Sequence, residues 1–186
     1  MDKINNSKMK LGLVRHFKVN IKPGEGKLSS SQFEEAMKNY DYADVTSNGL
    51  IINKNEWDIC YSSSLPRAVK TAQTIYNGEI ITTDLLCEVP ILPFTKRNII
   101  LPSFIWHTAA RIAWFKNKPS QPEGKIQTQK RVEEFLNLIN SSGKENILIV
   151  SHGFFLGSLV RELLKRGFKG EMDMRPRNGK LYTFIK

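Results

Sequence analysis

Three short apolar runs in this 186-residue chain end abruptly in groups that could handle an anion. LGLVRH, residues 11–16, ends in Arg15 and His16, and NILIVSHG, residues 146–153, ends in Ser151 and His152. Between them EWDICYSSS runs into LPRAVKTAQ and presents Ser62 to Arg67. Of the three histidines in the chain, two sit at these tips and only His107 lies elsewhere. One histidine at a strand end is more often a satisfied structural group than a functional one, so the inference rests on their joint placement. Two imidazoles, two guanidiniums and a carboxylate together suit phosphoryl transfer without a metal. Guanidiniums bind phosphoryl oxygens bidentately and offset their charge. A neutral imidazole attacks phosphorus better than water does, then leaves, which divides hydrolysis into two easier steps. A carboxylic acid can protonate the departing alkoxide.

Apolar runs with polar tips are how buried parallel strands look where they emerge from a sheet. The first strand is expected at 11–16, the second in EWDICYSSS, the third in GEIITTDLLCEV leading to Glu88, another in NILIV, and a last one in KLYTFIK. Helices are expected between them. SSSQFEEAMKNY has helical apolar spacing, with Ser31 and Glu34 placed for a capping box, and LPRAVKTAQTIYNG has a serine cap, an early proline and a closing glycine. FIWHTAARIAWF, KIQTQKRVEEFLNLINSSG and FFLGSLVRELLKRG complete the set. Alternation of this kind predicts an α/β three-layer sandwich, a mainly parallel central sheet flanked by helices, with its ligand site outside the carboxyl ends of the strands. The length favours a single domain over residues 1–186, with the proline- and aromatic-rich stretch 90–123 as a small cap insertion.

Composition narrows the class. A hydrophobic fraction of 40% and a charged fraction of 25% argue for a folded globular chain. The polar start, MDKINNSKMK, has no signal-peptide core and no apolar run approaches a membrane span, so a cytoplasmic protein without a membrane partner is expected. Cys60 and Cys87 are read as buried thiols, and no ligand spacing suggests a metal or other cofactor. The net charge of +10 fits an anionic ligand, an anionic polymer or a solvated basic face. Without basic blocks or interleaved aromatics, a small anion is preferred over nucleic acid.

The motifs together resemble the histidine phosphatase superfamily, the phosphoglycerate mutase-like proteins, over nearly the whole chain. LVRHF resembles the family's opening arginine-histidine signature, which implies Arg15 as a phosphate clamp and His16 as the nucleophile, although Phe17 stands where the family has glycine. SSSLPRAVKTA resembles SSPLxRAxxTA and implies Arg67 as the second clamp. DLLCEVP places Glu88 as the catalytic acid, with Asp84 the nearest substitute, and ILIVSHG makes His152 the second active-site histidine, hydrogen-bonded to the phosphoryl group. LSSSQFEEA, the WHTAARIAWF cap helix and the asparagine turn in RPRNGKLYTFI are weaker matches. The resemblance implies a metal-independent phosphomonoester hydrolase acting through a phosphohistidine on His16, with a small phosphorylated substrate and no cofactor. A silent relative that binds phosphorylated partners and a mutase-type phosphotransferase are the alternatives. Lys96, Arg97, Arg111, Lys116 and Lys118 could surround the cap and attract a polyanionic substrate, or form a solvated face.

Overall fold

The computed structural model describes residues 9–186. The polar N-terminal stretch therefore lies almost wholly outside the described residues. In chain order the elements are β1 (Lys10–Arg15), β2 (Lys18–Val19), β3 (Lys27–Leu28), α1 (Ser30–Tyr42), β4 (Val45–Thr46), β5 (Ile59–Ser63), α2 (Pro66–Ile75), β6 (Ile80–Thr83), β7 (Leu101–Pro102), α3 (Ser103–Phe115), α4 (Lys125–Ser141), β8 (Asn146–Ser151), α5 (Gly153–Lys165), β9 (Lys169–Gly170) and β10 (Leu181–Ile185). A six-stranded sheet has the order β6-β5-β8-β1-β10-β9, in which the first four strands run parallel, β10 is antiparallel to β1 and β9 is antiparallel to β10. This is the α/β fold with a mainly parallel sheet that the sequence predicts. The strand tips of β1, β5 and β8 are neighbours, with Arg15 opposite Ser151 in the ladder.

Strand alternation divides the core between the two sheet faces. Leu11, Leu13, Ile59, Tyr61, Ile147 and Ile149 pack with α4 and α5, whereas Val14, Cys60, Leu148 and Val150 pack with α2. Proline at the start of α2 supplies a fixed φ where no amide donor is needed. The capping box of α1 is displaced by two residues from the expected position. Ser29 caps the Gln32 amide, and the Gln32 side chain accepts from the Ser29 amide, because Phe33 must face inward and be fully buried.

The stretch 84–102 contains one three-residue 3-10 turn, Asp84–Leu86, and the two residues of β7, and is otherwise irregular. It leads into α3, which is anchored on the loop before α1. Trp106 Nε1 donates to the Leu28 carbonyl at 2.9 Å, and Ser103 bonds the Gly24 and Gly26 carbonyls. Among the described residues no helix is long and apolar enough to cross a membrane.

Candidate active site

A cleft of about 550 Å³ opens at the carboxyl ends of the parallel strands, and Arg15, His16, Arg67, Asp84 and Glu88 line it. His16 forms its floor and is 2% exposed. Its amide donates to the Ser151 carbonyl at 2.9 Å, and its Nδ1 donates to the Phe17 carbonyl at 2.6 Å. A carbonyl can only accept, so the ring proton sits on Nδ1 and the lone pair is on Nε2. Burial first, then Arg67, lower the His16 pKa to about 3 against the raising effect of the Phe17 carbonyl, and Arg15 adds a smaller lowering. The ring is neutral at pH 7.

The backbone after His16 is fastened from two sides. The Phe17 amide donates to Thr71 Oγ1 at 2.9 Å, and Thr71 in turn donates to the Arg67 carbonyl at 2.7 Å, which gives the threonine of the KTA segment a physical role. Asn178 Nδ2 donates to the His16 carbonyl at 2.7 Å. Phe17, where the resemblance leads one to expect glycine, needs no left-handed backbone, since Asn117 is the one non-glycine with positive φ among the described residues. Its side chain turns away from the cleft into the core with Val19, Val45 and Ile52. Room for it comes from Gly179, whose φ is +60° and whose Cβ would lie 2.7 Å from the Phe17 ring.

Arg15 donates through Nη1 to the Pro176 carbonyl at 3.0 Å, while its Nε is buried and has no hydrogen-bond partner among the described residues. Gly153, the first residue of α5, leaves space beside this guanidinium; a Cβ there would come within 3.2 Å of Nε. A buried donor without an acceptor beside a helix N-terminus is a place where an anion belongs.

Arg67 is 2% exposed and more heavily engaged. Its Nε donates to His152 Nδ1 at 3.2 Å, and its Nη1 donates to the Asp41 carboxylate at 2.8 Å and the Asp41 carbonyl at 3.2 Å. Nη2 is the nitrogen left over. Sequence reasoning missed Asp41, which lies 26 residues from Arg67 and looks like any polar residue at the end of a helix.

His152 is fully buried, with its ring centroid 5.1 Å from that of His16. Accepting at Nδ1 from Arg67 puts its proton on Nε2, which donates to Ser63 Oγ at 2.8 Å. Both nitrogens are thus committed to protein groups, and His152 stands behind the cleft wall rather than in it. Burial first, then Arg67, His16, Arg15 and Arg131, hold its pKa well below the ordinary histidine value.

Glu88 occupies the N-terminus of α5. Its Oε1 accepts from the Val89 and Phe155 amides at 2.9 and 3.0 Å, and Oε2 from the Phe154 amide at 3.2 Å. The turn before it is pinned by Arg131, also missed in the sequence, whose Nη1 donates to the carbonyls of Leu85 at 3.1 Å and Cys87 at 2.6 Å. Arg131 is held by Glu123 through Nε and Nη2, a pair that is 16% and 14% exposed and so largely shielded from water. Asp84 is exposed and accepts from Ser64 Oγ. Of the two cysteines, Cys60 is buried as expected, but Cys87 is half-buried and lines the cleft, because Glu88 beside it must reach the opening. The basic residues assigned to the cap do not converge: Arg111 lines the cleft, Lys96 a second depression, and Lys116 and Lys118 a third. Among the described residues no group of three or more histidines, cysteines or acids could hold a metal ion.

Compared with known proteins, residues 48–184 match the histidine phosphatase superfamily (branch 1). That span contains Arg67, Glu88 and His152 and begins after Arg15 and His16. A curated relative from Hydrogenobacter thermophilus, named "Putative phosphoserine phosphatase 2", is 31% identical over a 116-residue alignment that covers 58% of this chain and 56% of the relative, so the match spans little more than half of its length. The alpha-ribazole phosphatase of Shigella flexneri superposes with a TM-score of 0.61 at 20% identity, covering 94% of this chain and 89% of that one. Phosphoserine phosphatase from Entamoeba histolytica, solved with 3-phosphoglyceric acid, gives 0.55 at 20% identity over the same shares.

Proposed function

The chain belongs to the histidine phosphatase superfamily, and from that premise we propose that it is a cytoplasmic phosphomonoester hydrolase acting through a phosphohistidine on His16. The observation that carries this reading is the state of His16: Nδ1–H is locked on the Phe17 carbonyl, and a neutral Nε2 lies at the floor of a cleft next to an arginine with an unmet donor. Arg15 and Nη2 of Arg67 take the phosphoryl oxygens, so no metal is needed to offset their charge. His16 Nε2 attacks phosphorus as the ester P–O bond breaks, and Glu88 gives its proton to the leaving oxygen. Water, deprotonated by Glu88, then attacks the phosphohistidine, the P–N bond breaks, and inorganic phosphate leaves. His152 orients Arg67 and would itself reach the phosphoryl group only by exchanging Ser63 for it. The segment 90–123 serves as the cap over this site.

Turnover of p-nitrophenyl phosphate in EDTA tests the proposal. We expect activity with a catalytic phosphoenzyme seen by rapid quench, and its loss by a factor of more than about 10⁴ with no adduct in His16→Ala. An adduct that persists in that variant would remove His16 from the role, and binding of phosphate without turnover by the wild type would favour the silent relative.

A further inference from the structure

The chain carries a net charge of +10, yet the cleft is balanced. Three of its basic residues lie in pairs with carboxylates that line the same cleft. Arg67 holds Asp41 at 2.8 Å, Lys38 faces Glu34 at 3.5 Å, and Arg131 grips Glu123 at 2.9 Å. Arg111, bonded to the Val89 carbonyl and stacked 3.7 Å from the Phe154 ring, lies in the field of Glu88 and Glu123. Among the described residues that line the cleft, only Arg15 has a buried donor without a hydrogen-bond partner, whereas Arg111, which makes no ion pair, spends a donor on the Val89 carbonyl. Lys96, Lys116 and Lys118, which could have supplied uncommitted charge, lie in other depressions.

Resting on the phosphatase reading, we propose that Asp41 is a specificity-determining residue, and that the substrate is a phosphomonoester whose remainder is neutral or carries an ammonium group rather than a second anion. The single unmet site at Arg15 accommodates one phosphoryl dianion. Beyond it, Asp41 and Glu34, each with a side chain 45% exposed, present negative charge from one face of α1. A second carboxylate or phosphate on the substrate would have to displace one of these anions from its cation or face it across a partly dry cleft, where like charges repel more strongly than in water. A cationic remainder gains from the same arrangement. Asp41 also holds Arg67 Nη1 by a charge that an asparagine oxygen could replace as an acceptor, so its charge and its geometry are separable.

Glycerol 3-phosphate, 3-aminopropyl phosphate and 3-phosphoglycerate share a three-carbon skeleton and carry neutral, cationic and anionic remainders. We expect kcat/KM for the first two to exceed that for 3-phosphoglycerate by about tenfold or more, and Asp41→Asn to narrow the gap about tenfold by accelerating 3-phosphoglycerate, a change expected of one nearby charge. Dissociation constants of the same esters for the His16→Ala chain, by calorimetry, should follow the same order. Equal or better use and binding of 3-phosphoglycerate would overturn the inference and hand the remainder to Arg111, and so would a gap that Asp41→Asn leaves unchanged. p-Nitrophenyl phosphate keeps the two proposals apart. If it is not hydrolysed while the binding order holds, the phosphatase reading fails and the charge selectivity stands; if it is hydrolysed and the order fails, the reverse is true.

Discussion

Arg15 and His16 reach the cleft from the tip of β1 and Arg67 from the first turn of α2, and hydrogen bonds to backbone hold the His16 loop from both sides. Glu88 faces them from an irregular stretch whose preceding turn is tied down by side chains, Arg131 on the Leu85 and Cys87 carbonyls and Ser151 on the Leu86 carbonyl at 2.6 Å. The phosphate floor is therefore fixed by the sheet itself, where each ladder bond supports the next, while the acid wall hangs on side chains that a point mutation can remove. In the mechanism proposed above, the contrast separates the two chemical halves of the reaction: forming the phosphohistidine would need the floor, and expelling a poor leaving group would need the wall.

The sharpest way to test that separation is Glu88→Gln. Hydrolysis of an alkyl phosphate should fall by roughly 10² to 10⁴, the range for a lost general acid, while p-nitrophenyl phosphate, with its stable leaving anion, loses much less. Equal losses would mean that Glu88 belongs functionally to the floor, and a harmless Glu88→Gln with a crippling Asp84→Asn would move the acid along the chain. Arg131→Met should come next. It strands Glu123 and frees the turn before Glu88, so we expect a stability loss of about 3 kcal/mol in urea unfolding and an alkyl phosphate kcat lowered by roughly tenfold, less with p-nitrophenyl phosphate. A merely structural role would lower both rates alike.

The smallest effect, taken per unit of pH, concerns the floor. His16 and His152 are held neutral in the folded chain, with pKa values below that of an unfolded histidine, about 6.5. Between the folded and unfolded values the unfolded chain binds more protons, so stability is complete above about pH 6.5 and declines on acidification, for His16 until about 3, by at most about 1.4 kcal/mol per pH unit for each ring. NMR should show neither ring titrating between pH 8 and 5 while urea midpoints fall. Titration near 6.5 would show a floor wetter than its hydrogen bonding implies.

The same contrast governs what can be read in the sequence. Apolar runs with polar tips announce the strands of a parallel sheet, and the chemistry at those tips is local, so Arg15, His16, Arg67 and His152 are visible as residues. Glu88 is visible only by its place after a strand. Arg131 is invisible, because an arginine on an amphipathic helix looks solvated until the turn it caps is known, and Asp41 is invisible because its meaning depends on a contact between α1 and α2. The capping box of α1 slipped by two because three successive serines offer equal caps, and only the burial of Phe33 decides among them. The aromatics of 90–123 look alike in the sequence, yet Trp106 and Trp114 are buried whereas Phe104 and Phe115 are exposed.

Thr71 carries a consequence for motion. One hydroxyl joins the amide after the nucleophile to the carbonyl of the clamping arginine's own residue, so the loop bearing His16 and the helix bearing Arg67 behave as one piece. Neither can swing out without breaking a buried bond of the other, and a phosphoryl group bound between them would have no exit on that side. In the proposed mechanism, release of inorganic phosphate, and with it the ceiling on the turnover rate, would then fall to the opposite bank, residues 90–102 and α3, beyond the Leu86 carbonyl that Ser151 ties to the His16 strand end.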